Sequence, residues 1–383
     1  MKYRTKILHT GMDLDPFTGA SSIPIYQVST FDQEDPVEIG KYEYARGTNP
    51  TRDALENAVA VLEGGARGFA FASGMAAISS VLMLFRPGDH LVVSEDVYGG
   101  TFRILTTLFR QWGLQATFVD STDACKVAEA VRPETRAIFV ETPSNPLLKI
   151  TDLAAVAGIA REKGLLSIID NTFMSPYLQR PLEFGFDISI HSATKFLGGH
   201  SDIIAGVVAV ADAELGKRLK FVQNAFGAIL GPQDSWLLIR GMKTLAARMD
   251  LQQRGAERIA LWLTERPEVG KVWYPLLPDH PGREVHLAQA KGGGAVVSFE
   301  LKDGEAARRF LKGTELPLVA VSLGGVESIL SYPATMSHGS MPREERLARG
   351  ITDGLVRLSV GLEDAEDLME DLGQALDLLG HAT

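Results

Sequence analysis

Seven short apolar runs, most of them separated by segments of helical spacing, constrain this chain more than any other feature. They occupy residues 68–72, 90–94, 116–119, 137–141, 166–170, 188–191 and 204–210. Each has the length of a strand and is nearly continuous in apolar side chains, as a strand covered on both faces must be. Helical segments at 76–85, 101–112, 124–131, 153–163 and 182–184 lie between most of them. A helix over 52–62, with Leu55, Val59 and Leu62 on one face, precedes the series. Strand and helix in alternation make βαβ units, whose long crossovers set neighbouring strands parallel. The predicted fold class is α/β with a mostly parallel central sheet.

The pattern changes in the last third. Residues 235–263 read as a long helix interrupted at Gly241 and Gly255, followed by an alternating run at 294–301, strand-like segments at 318–322 and 355–360, and a final helix over 365–379. That helix places Leu368, Met369, Leu372, Leu376 and Leu379 on one face. Glu366, Asp367, Glu370 and Asp371 fall on the other, a solvated face. This region reads as a smaller α+β domain. Residues 1–50 are irregular, with turn residues at Pro16, Gly19, Pro24, Pro36, Gly40, Gly47, Asn49 and Pro50. A flexible tail is one reading. Tyr26, Phe31, Tyr42 and Tyr44 favour an arm that packs on something, because disordered segments are poor in aromatics. The expected division is an arm over 1–50, a large domain over 51–240 and a small domain over 241–383.

Charge narrows the partners. The chain carries 38 Lys and Arg against 48 Asp and Glu, a net of −10, the opposite of the basic face that nucleic acid or an anionic membrane requires. Its one cysteine, Cys125, excludes an intramolecular disulfide and a cysteine metal cluster. The basic residues of the N-terminus are not followed by the ~7–15 apolar residues of a secretory signal; Asp13 and Asp15 come instead. The longest apolar run, nine residues at 203–211, falls short of the ~20 that span a bilayer. A cytoplasmic protein is expected.

Ligands of open parallel sheets sit beyond the carboxyl ends of the strands, and those ends are polar here. The first run leads into Ser73-Gly74-Met75 and a helix whose N–H groups would face an anion. Others end in Glu141-Thr142-Pro143-Ser144-Asn145-Pro146, in Asp170-Asn171-Thr172, and in His191-Ser192-Ala193-Thr194-Lys195. On the predicted sheet these ends converge on one crevice, which points to a phosphate-bearing ligand with chemistry attached. The glycine fingerprints of dinucleotide and P-loop sites are missing, as are His-Glu-x-x-His and Gly-x-Ser-x-Gly. No metal is expected. Lys195, beside the apolar Phe196-Leu197, is placed for partial desolvation, which lowers an amine's pKa and suits it to a Schiff base; its other reading is a snorkelling surface lysine. Asp170, closing an apolar strand, is either the ring-nitrogen partner that pyridoxal phosphate requires or a helix cap. Ser192 and Thr194, with the N–H groups of Gly74 and Met75, would take the phosphate.

Asp170-Asn171-Thr172, Ser192-Ala193-Thr194-Lys195, Ser73-Gly74-Met75-Ala76-Ala77, Asp96-Val97-Tyr98-Gly99-Gly100-Thr101 and Pro143-Ser144-Asn145-Pro146 together resemble the Cys/Met-metabolism (transsulfuration) family of pyridoxal 5′-phosphate enzymes. The resemblance runs in order from Ile23-Pro24-Ile25-Tyr26-Gln27 to Val356-Arg357-Leu358-Ser359-Val360-Gly361. It implies the aspartate-aminotransferase-like fold (fold type I). It also implies that Lys195 is the Schiff-base lysine and the base at Cα, that Asp170 pairs with the pyridine nitrogen, and that Tyr98 stacks on the ring. Gly74, Met75, Ser192 and Thr194 resemble the phosphate ligands. Tyr44 and Arg46 resemble residues that reach the phosphate from a neighbouring subunit, so the arm would complete another chain's site in a homo-oligomer, usually a dimer of dimers. Arg357 resembles the arginine that clamps the substrate α-carboxylate in a bidentate fork, helped by Asn145 and the backbone at Ser322. Ala45 departs from the serine of many relatives, at a side chain outside the phosphate contact.

The family holds β-lyases, γ-lyases, γ-synthases and sulfhydrylases on one scaffold, so the fold does not choose the reaction. The words Gly40-Lys41-Tyr42-Glu43-Tyr44, 224–234 and 326–334 look most like bacterial cystathionine β-lyases of the γ-synthase-like branch. Glu43, Arg103 and Glu327 match positions shared with cystathionine γ-lyases; they are candidates for the distal amino-acid end of the substrate, or ordinary surface charges. The favoured reading is β-elimination from L,L-cystathionine, ahead of γ-elimination and then of γ-replacement or sulfhydrylation. A catalytically silent relative that only binds is the reading from another class.

Overall fold

The computed structural model describes residues 1–11, 15, 17–339 and 341–380. Asp13 and Pro16, used above for the leader and for a turn, lie outside the described residues. Seven strands fall on the seven apolar runs: β1 Arg67–Phe71, β2 His90–Ser94, β3 Gln115–Val119, β4 Thr135–Glu141, β5 Leu166–Asp170, β6 Ile188–Ser192 and β7 Gly206–Val210. Five more follow: β8 Val269–Trp273, β9 Val296–Leu301, β10 Leu318–Val319, β11 Ile329–Ser331 and β12 Leu355–Ser359. The chain gathers into two compact units that interleave in sequence, 1–86 with 166–246 and 87–165 with 247–383.

In the first unit β1, β7, β6 and β5 lie side by side in that order. β5 and β6 run parallel, with Asp170 opposite Ile190. β7 is antiparallel to both neighbours, so Gly206 faces Ser192 on one side and Phe71 on the other. β6 and β7 are joined by the turn-rich segment 193–205, which forms no crossover helix, and the chain returns antiparallel. Leu55 and Val59 of the Pro50–Glu63 helix are buried beside these strands. The helix starts at Asn49, whose side chain accepts from the N–H groups of Thr51 and Arg52, with Pro50 at its first position, and it ends at Gly64 in the left-handed region. Both ends carry the residue types that such ends require.

In the second unit β4, β2 and β3 form a parallel run. The later strands make a separate sheet in the order β10-β11-β12-β9-β8, antiparallel except for β10 with β11. Its core joins Phe299, Leu330, Val356 and Leu358 of the strands to Phe310, Leu368, Leu372 and Leu376 of two helices, Gly304–Gly313 and Ala365–Gly380. Phe299 and Phe310 meet edge to face, 5.5 Å between centroids, an arrangement worth about 0.5–1.5 kcal/mol beyond the area buried.

The helical pattern over 235–263 resolves into two helices, Pro232–Lys243 and Leu245–Thr264. The break falls at Thr244, and Gly241 and Gly255 both lie inside helices. Gly241 is there for proximity: a Cβ on it would stand 2.3 Å from the Gly198 carbonyl oxygen. The 318–322 segment is a strand only over Leu318–Val319. Val269–Trp273 and Ile329–Ser331 were not foreseen; the first has two adjacent exposed positions, Gly270 and Lys271, and the second is only three residues long.

Candidate active site

Two sets of polar side chains, one in each unit, collect several of the residues singled out in the sequence.

In the first unit β5 ends on Asp170, which is 6% exposed. Its Oδ1 accepts from the Thr172 N–H (3.0 Å) and the Thr172 hydroxyl (2.5 Å). Burial pushes the carboxyl pKa up, against the pull of the Thr172 hydrogen bonds and of His191. A buried carboxylate in that condition gains from a cationic N–H brought against it. The same Thr172 hydroxyl oxygen accepts the Ser192 N–H at 2.8 Å, so one side chain ties the ends of β5 and β6 together. Beyond Ser192 the chain turns. The Lys195 N–H donates to the Ser192 carbonyl (3.1 Å), and the Lys195 carbonyl accepts from Gly199 (2.8 Å). Lys195 is half-buried between the buried Ala193 and the buried Phe196-Leu197.

The Gly74–Leu82 helix starts beside Ser192. Ser73 caps it by accepting from the Ala76 N–H, so the amides of Gly74 and Met75 are left at the helix start without acceptors within the helix. A Cβ on Gly74 would lie 2.8 Å from Ser192 Cβ and 2.9 Å from its Oγ. Only glycine lets this helix end approach the hydroxyl so closely, and the result is a cradle of N–H and O–H donors that fits a phosphate. Thr194 is in place, but its hydroxyl already donates to the Ala205 carbonyl (3.2 Å) and accepts from the Ala205 N–H (3.0 Å). The residues present fit pyridoxal phosphate at both ends, ring nitrogen and phosphate.

Behind the cradle, Glu63 Oε1 accepts from the Ser189 hydroxyl (3.1 Å), from the Asn171 amide (3.4 Å) and from His191 Nε2. Tyr44 and Arg46 sit on the surface of this unit, the guanidinium carbon 5.4 Å from the Tyr44 ring centroid, with Arg46 Nε donating to Asn224 Oδ1 at 3.4 Å. Glu43 beside them is exposed.

In the second unit Arg357, on β12, is 3% exposed. It donates to Asn145 Oδ1 (2.7 Å) and to the Ser322 carbonyl (2.8 Å), while its buried Nε has no hydrogen-bond partner among the described residues. Burial pushes its pKa down to about 10, partly offset by the charges of Glu141 and Tyr98. It stays a cation at neutral pH, and its hydrogen bonds go to neutral oxygens. A buried guanidinium with donors to spare has the chemistry to receive a carboxylate. Ser322 holds its carbonyl toward Arg357 at φ 103°, outside the usual range for a residue with a side chain. Tyr98 stands just before the Gly99–Thr106 helix; its N–H donates to Glu141 Oε2 (2.7 Å), and the residue is 41% exposed. Arg103 and Glu327 are exposed, and no hydrogen bond or ion pair among the described residues joins their side chains to Arg357.

Sequence reasoning assigned no role to Thr172, Glu63 or Glu141. Thr172 had a signal, since it stands two residues after Asp170 on a strand end. Glu141 stood among the polar strand ends, but its contact with the Tyr98 N–H, like those of Glu63, spans a long sequence separation and had no signal.

The whole chain, from residue 4 to residue 377, matches the family model described as Cys/Met metabolism PLP-dependent enzyme. It is 56% identical over 372 residues to cystathionine beta-lyase MetC of Bacillus subtilis (strain 168), covering 97% of this chain and 95% of that protein. It is 53% identical over 377 residues to the cystathionine gamma-lyase of the same organism, covering 98% and 100%. Among solved structures it resembles a cystathionine gamma-lyase from Lactobacillus plantarum complexed with L-serine, with a TM-score of 0.96 and 48% identity over 98% of this chain and 99% of that one. The α/β fold and the family read from the motifs are thus the ones found, and no described helix is long and apolar enough to cross a membrane. The chain belongs to the Cys/Met metabolism PLP-dependent enzymes.

Proposed function

We propose that the chain is a carbon–sulfur lyase that cleaves L,L-cystathionine by β-elimination, giving homocysteine, pyruvate and ammonia. The observation that carries an amino-acid substrate is Arg357, a desolvated cation bonded to neutral oxygens with a donor left over. The choice of β-elimination leans on the 56% identity to a protein named a β-lyase. The 53% identity to one named a γ-lyase keeps γ-elimination as the second reading, with cysteine and 2-oxobutyrate as its products.

Pyridoxal phosphate, when bound, supplies an electron sink for the charge that develops at the substrate's α-carbon. The chain's own residues do the rest. Gly74, Met75, Ser192 and Thr194 hold the phosphate, Thr194 by giving up the Ala205 carbonyl. Asp170 faces the ring nitrogen and keeps it protonated; Thr172 fixes the carboxylate for that purpose. Arg357 takes the α-carboxylate in a fork, and Asn145 and Ser322 keep the fork aimed. Lys195 would carry the cofactor and, once the substrate amine has displaced it, would take the proton from Cα and hand one to the departing sulfur. Tyr98 would stack on the cofactor ring. Glu43, Arg103 and Glu327 read the distal amino-acid end of the substrate. Tyr44 and Arg46 reach the phosphate of a neighbouring subunit, in a cytoplasmic homo-oligomer built from dimers that share sites.

Incubation with L,L-cystathionine and identification of the keto acid tests the reaction. Pyruvate with homocysteine supports β-elimination; 2-oxobutyrate with cysteine replaces it by γ-elimination. Cystathionine made from an O-acyl-homoserine and cysteine, with neither keto acid, removes both lyase readings. Lys195→Ala is expected to abolish turnover, a loss of at least about 10⁴-fold, together with the visible absorbance of the purified protein.

A further inference from the structure

Tyr44 and Arg46, read above as directed at a neighbouring subunit, stand on a loop that a buried cation helps to organise from beneath, beside backbone bonds from Ala45 to Ser29 and from Gly47 to Tyr44. Arg52, in the first turn of the Pro50–Glu63 helix, is fully buried. Its guanidinium collects three successive carbonyls: NH1 donates to Ala45 O (2.8 Å), and NH2 to Arg46 O (3.2 Å) and Gly47 O (3.1 Å). Nε faces Glu56 Oε1 at 3.5 Å, an ion pair without a hydrogen bond. Glu56 Oε1 is itself anchored to β1 through the Ala70 N–H (3.0 Å) and to Gln223 Nε2 (2.7 Å). Lys220 donates to the Gly47 carbonyl from the far side and to Gln223 Oε1 (2.9 Å). The carbonyls of residues 45–47 therefore point inward at cations, while Tyr44 and Arg46 are exposed.

An exposed pair has few contacts of its own to repay the entropy of being ordered. Arg46 has one long hydrogen bond to Asn224, and Tyr44 has the Arg46 guanidinium near its ring. Burying a guanidinium is costly unless its donors are met, and here the donors are spent on backbone that carries no chemistry itself. A lysine, a point charge without a fork, cannot span three carbonyls in this way.

We propose that Arg52 is a positioning residue that holds Tyr44 and Arg46 in the pose in which they reach a neighbouring subunit's cofactor phosphate. This rests on the reading, given above, that the pair serves that phosphate. The test compares the wild-type holoenzyme with Arg46→Ala and Arg52→Lys, first by pyridoxal phosphate retained through dialysis, followed as visible absorbance, and then by mixing each variant with Lys195→Ala subunits. Arg52→Lys is expected to fold and assemble as wild type, because it keeps the charge opposite Glu56, and to lose cofactor about tenfold faster, as the loss of one or two hydrogen bonds implies. In mixtures with Lys195→Ala it should regain activity, as Arg46→Ala should, because the arm lesion and the lysine lesion then lie on different chains. Retention by Arg46→Ala at the wild-type level would remove the phosphate reading and this inference with it. Fast loss from Arg46→Ala with wild-type retention by Arg52→Lys would overturn the inference alone. So would an Arg52→Lys defect that mixing fails to relieve while it relieves Arg46→Ala, since that marks damage to the variant's own cradle. Should the lysine variant not fold, Arg52→Gln, which keeps donors but not the fork, decides by the same mixing.

Discussion

The proposed phosphate cradle of the first unit and the proposed carboxylate clamp of the second would solve the same problem, holding an anion, by opposite means. The cradle is made of strand ends and a helix end: the register of β5 on β6 puts Asp170, Thr172 and Ser192 together, and Gly74 brings backbone amides against Ser192. Its donors are neutral and several. The clamp is one buried cation whose partners come from far along the chain, Asn145 at 212 residues and Ser322 at 35. Dipoles spread over several donors can lose one and still function, whereas a single desolvated charge cannot be replaced in part.

Arg357→Lys gives the largest separation between the two. A lysine cannot bond Asn145 and Ser322 and still present two donors to a carboxylate. kcat/KM is expected to fall about 10²–10³-fold, the cost of truncating a buried charge-assisted contact, with cofactor absorbance unchanged because the cradle is untouched. Loss of bound cofactor in this variant would break the distinction.

Acid should act on the second unit through its buried histidines. Burial pushes His286 and His338 down from 6.5 to about 4. Between those values each is neutral when folded and charged when unfolded, so the unfolded chain binds more protons and stability falls with pH. By pH 5 the loss is about 2 kcal/mol per histidine. Asp96 in the same unit, raised to about 6, works the other way and offsets part of it, because the folded form takes up a proton first. Asp170 in the first unit, also raised, shares that sign. Urea unfolding at pH 7 and pH 5 reads the difference, and His286→Gln, remote from the clamp's hydrogen bonds, should flatten the slope. An unchanged slope would mean that His286 is not held neutral by the fold.

Thr172→Val tests the cradle's claim to redundancy. It removes the hydroxyl from both Asp170 and Ser192. Asp170, already raised by burial, should rise further, so the cofactor's ring nitrogen loses charge compensation. Affinity for pyridoxal phosphate is expected to drop about tenfold, well short of the Arg357 effect, and titration of apoenzyme with cofactor measures it. A loss of 10³-fold would show the cradle to be as brittle as the clamp.

The same contrast decides what was legible beforehand. All seven strands of the alternating series, and the polar ends that carry Asp170 and Lys195, could be read because strand, turn and side chain are neighbours in sequence. Arg357 was found only through the resemblance, and the Glu141 carboxylate that meets the Tyr98 N–H was not found at all. A contact across a long separation leaves no local pattern. The helix break at Thr244 was misplaced for a related reason: Gly241 looks like an interruption in sequence, and only the Gly198 carbonyl against it explains the missing side chain. Arg52 was passed over as a residue of an amphipathic helix, because nothing local says that its fork is turned inward onto three carbonyls.

Ser322 carries the smallest and most discriminating effect. Its φ of 103° is a conformation that glycine adopts freely and a serine pays for, on the order of 1–3 kcal/mol. The sequence read this position as part of a strand, and the strand ends at Val319 instead. The turn is what carries the Ser322 carbonyl to Arg357 NH2. Ser322→Gly relieves the strain in the folded state but also frees the unfolded chain, which returns roughly 0.5–1 kcal/mol of the gain. The net expectation is a rise in stability of about 1 kcal/mol by urea unfolding, with KM raised a few-fold because the carbonyl is no longer confined to the arginine. If stability rises and KM does not, the strain is incidental to the clamp. If KM rises with no gain in stability, the backbone at Ser322 is held by the substrate-binding arrangement itself and not by its own side chain.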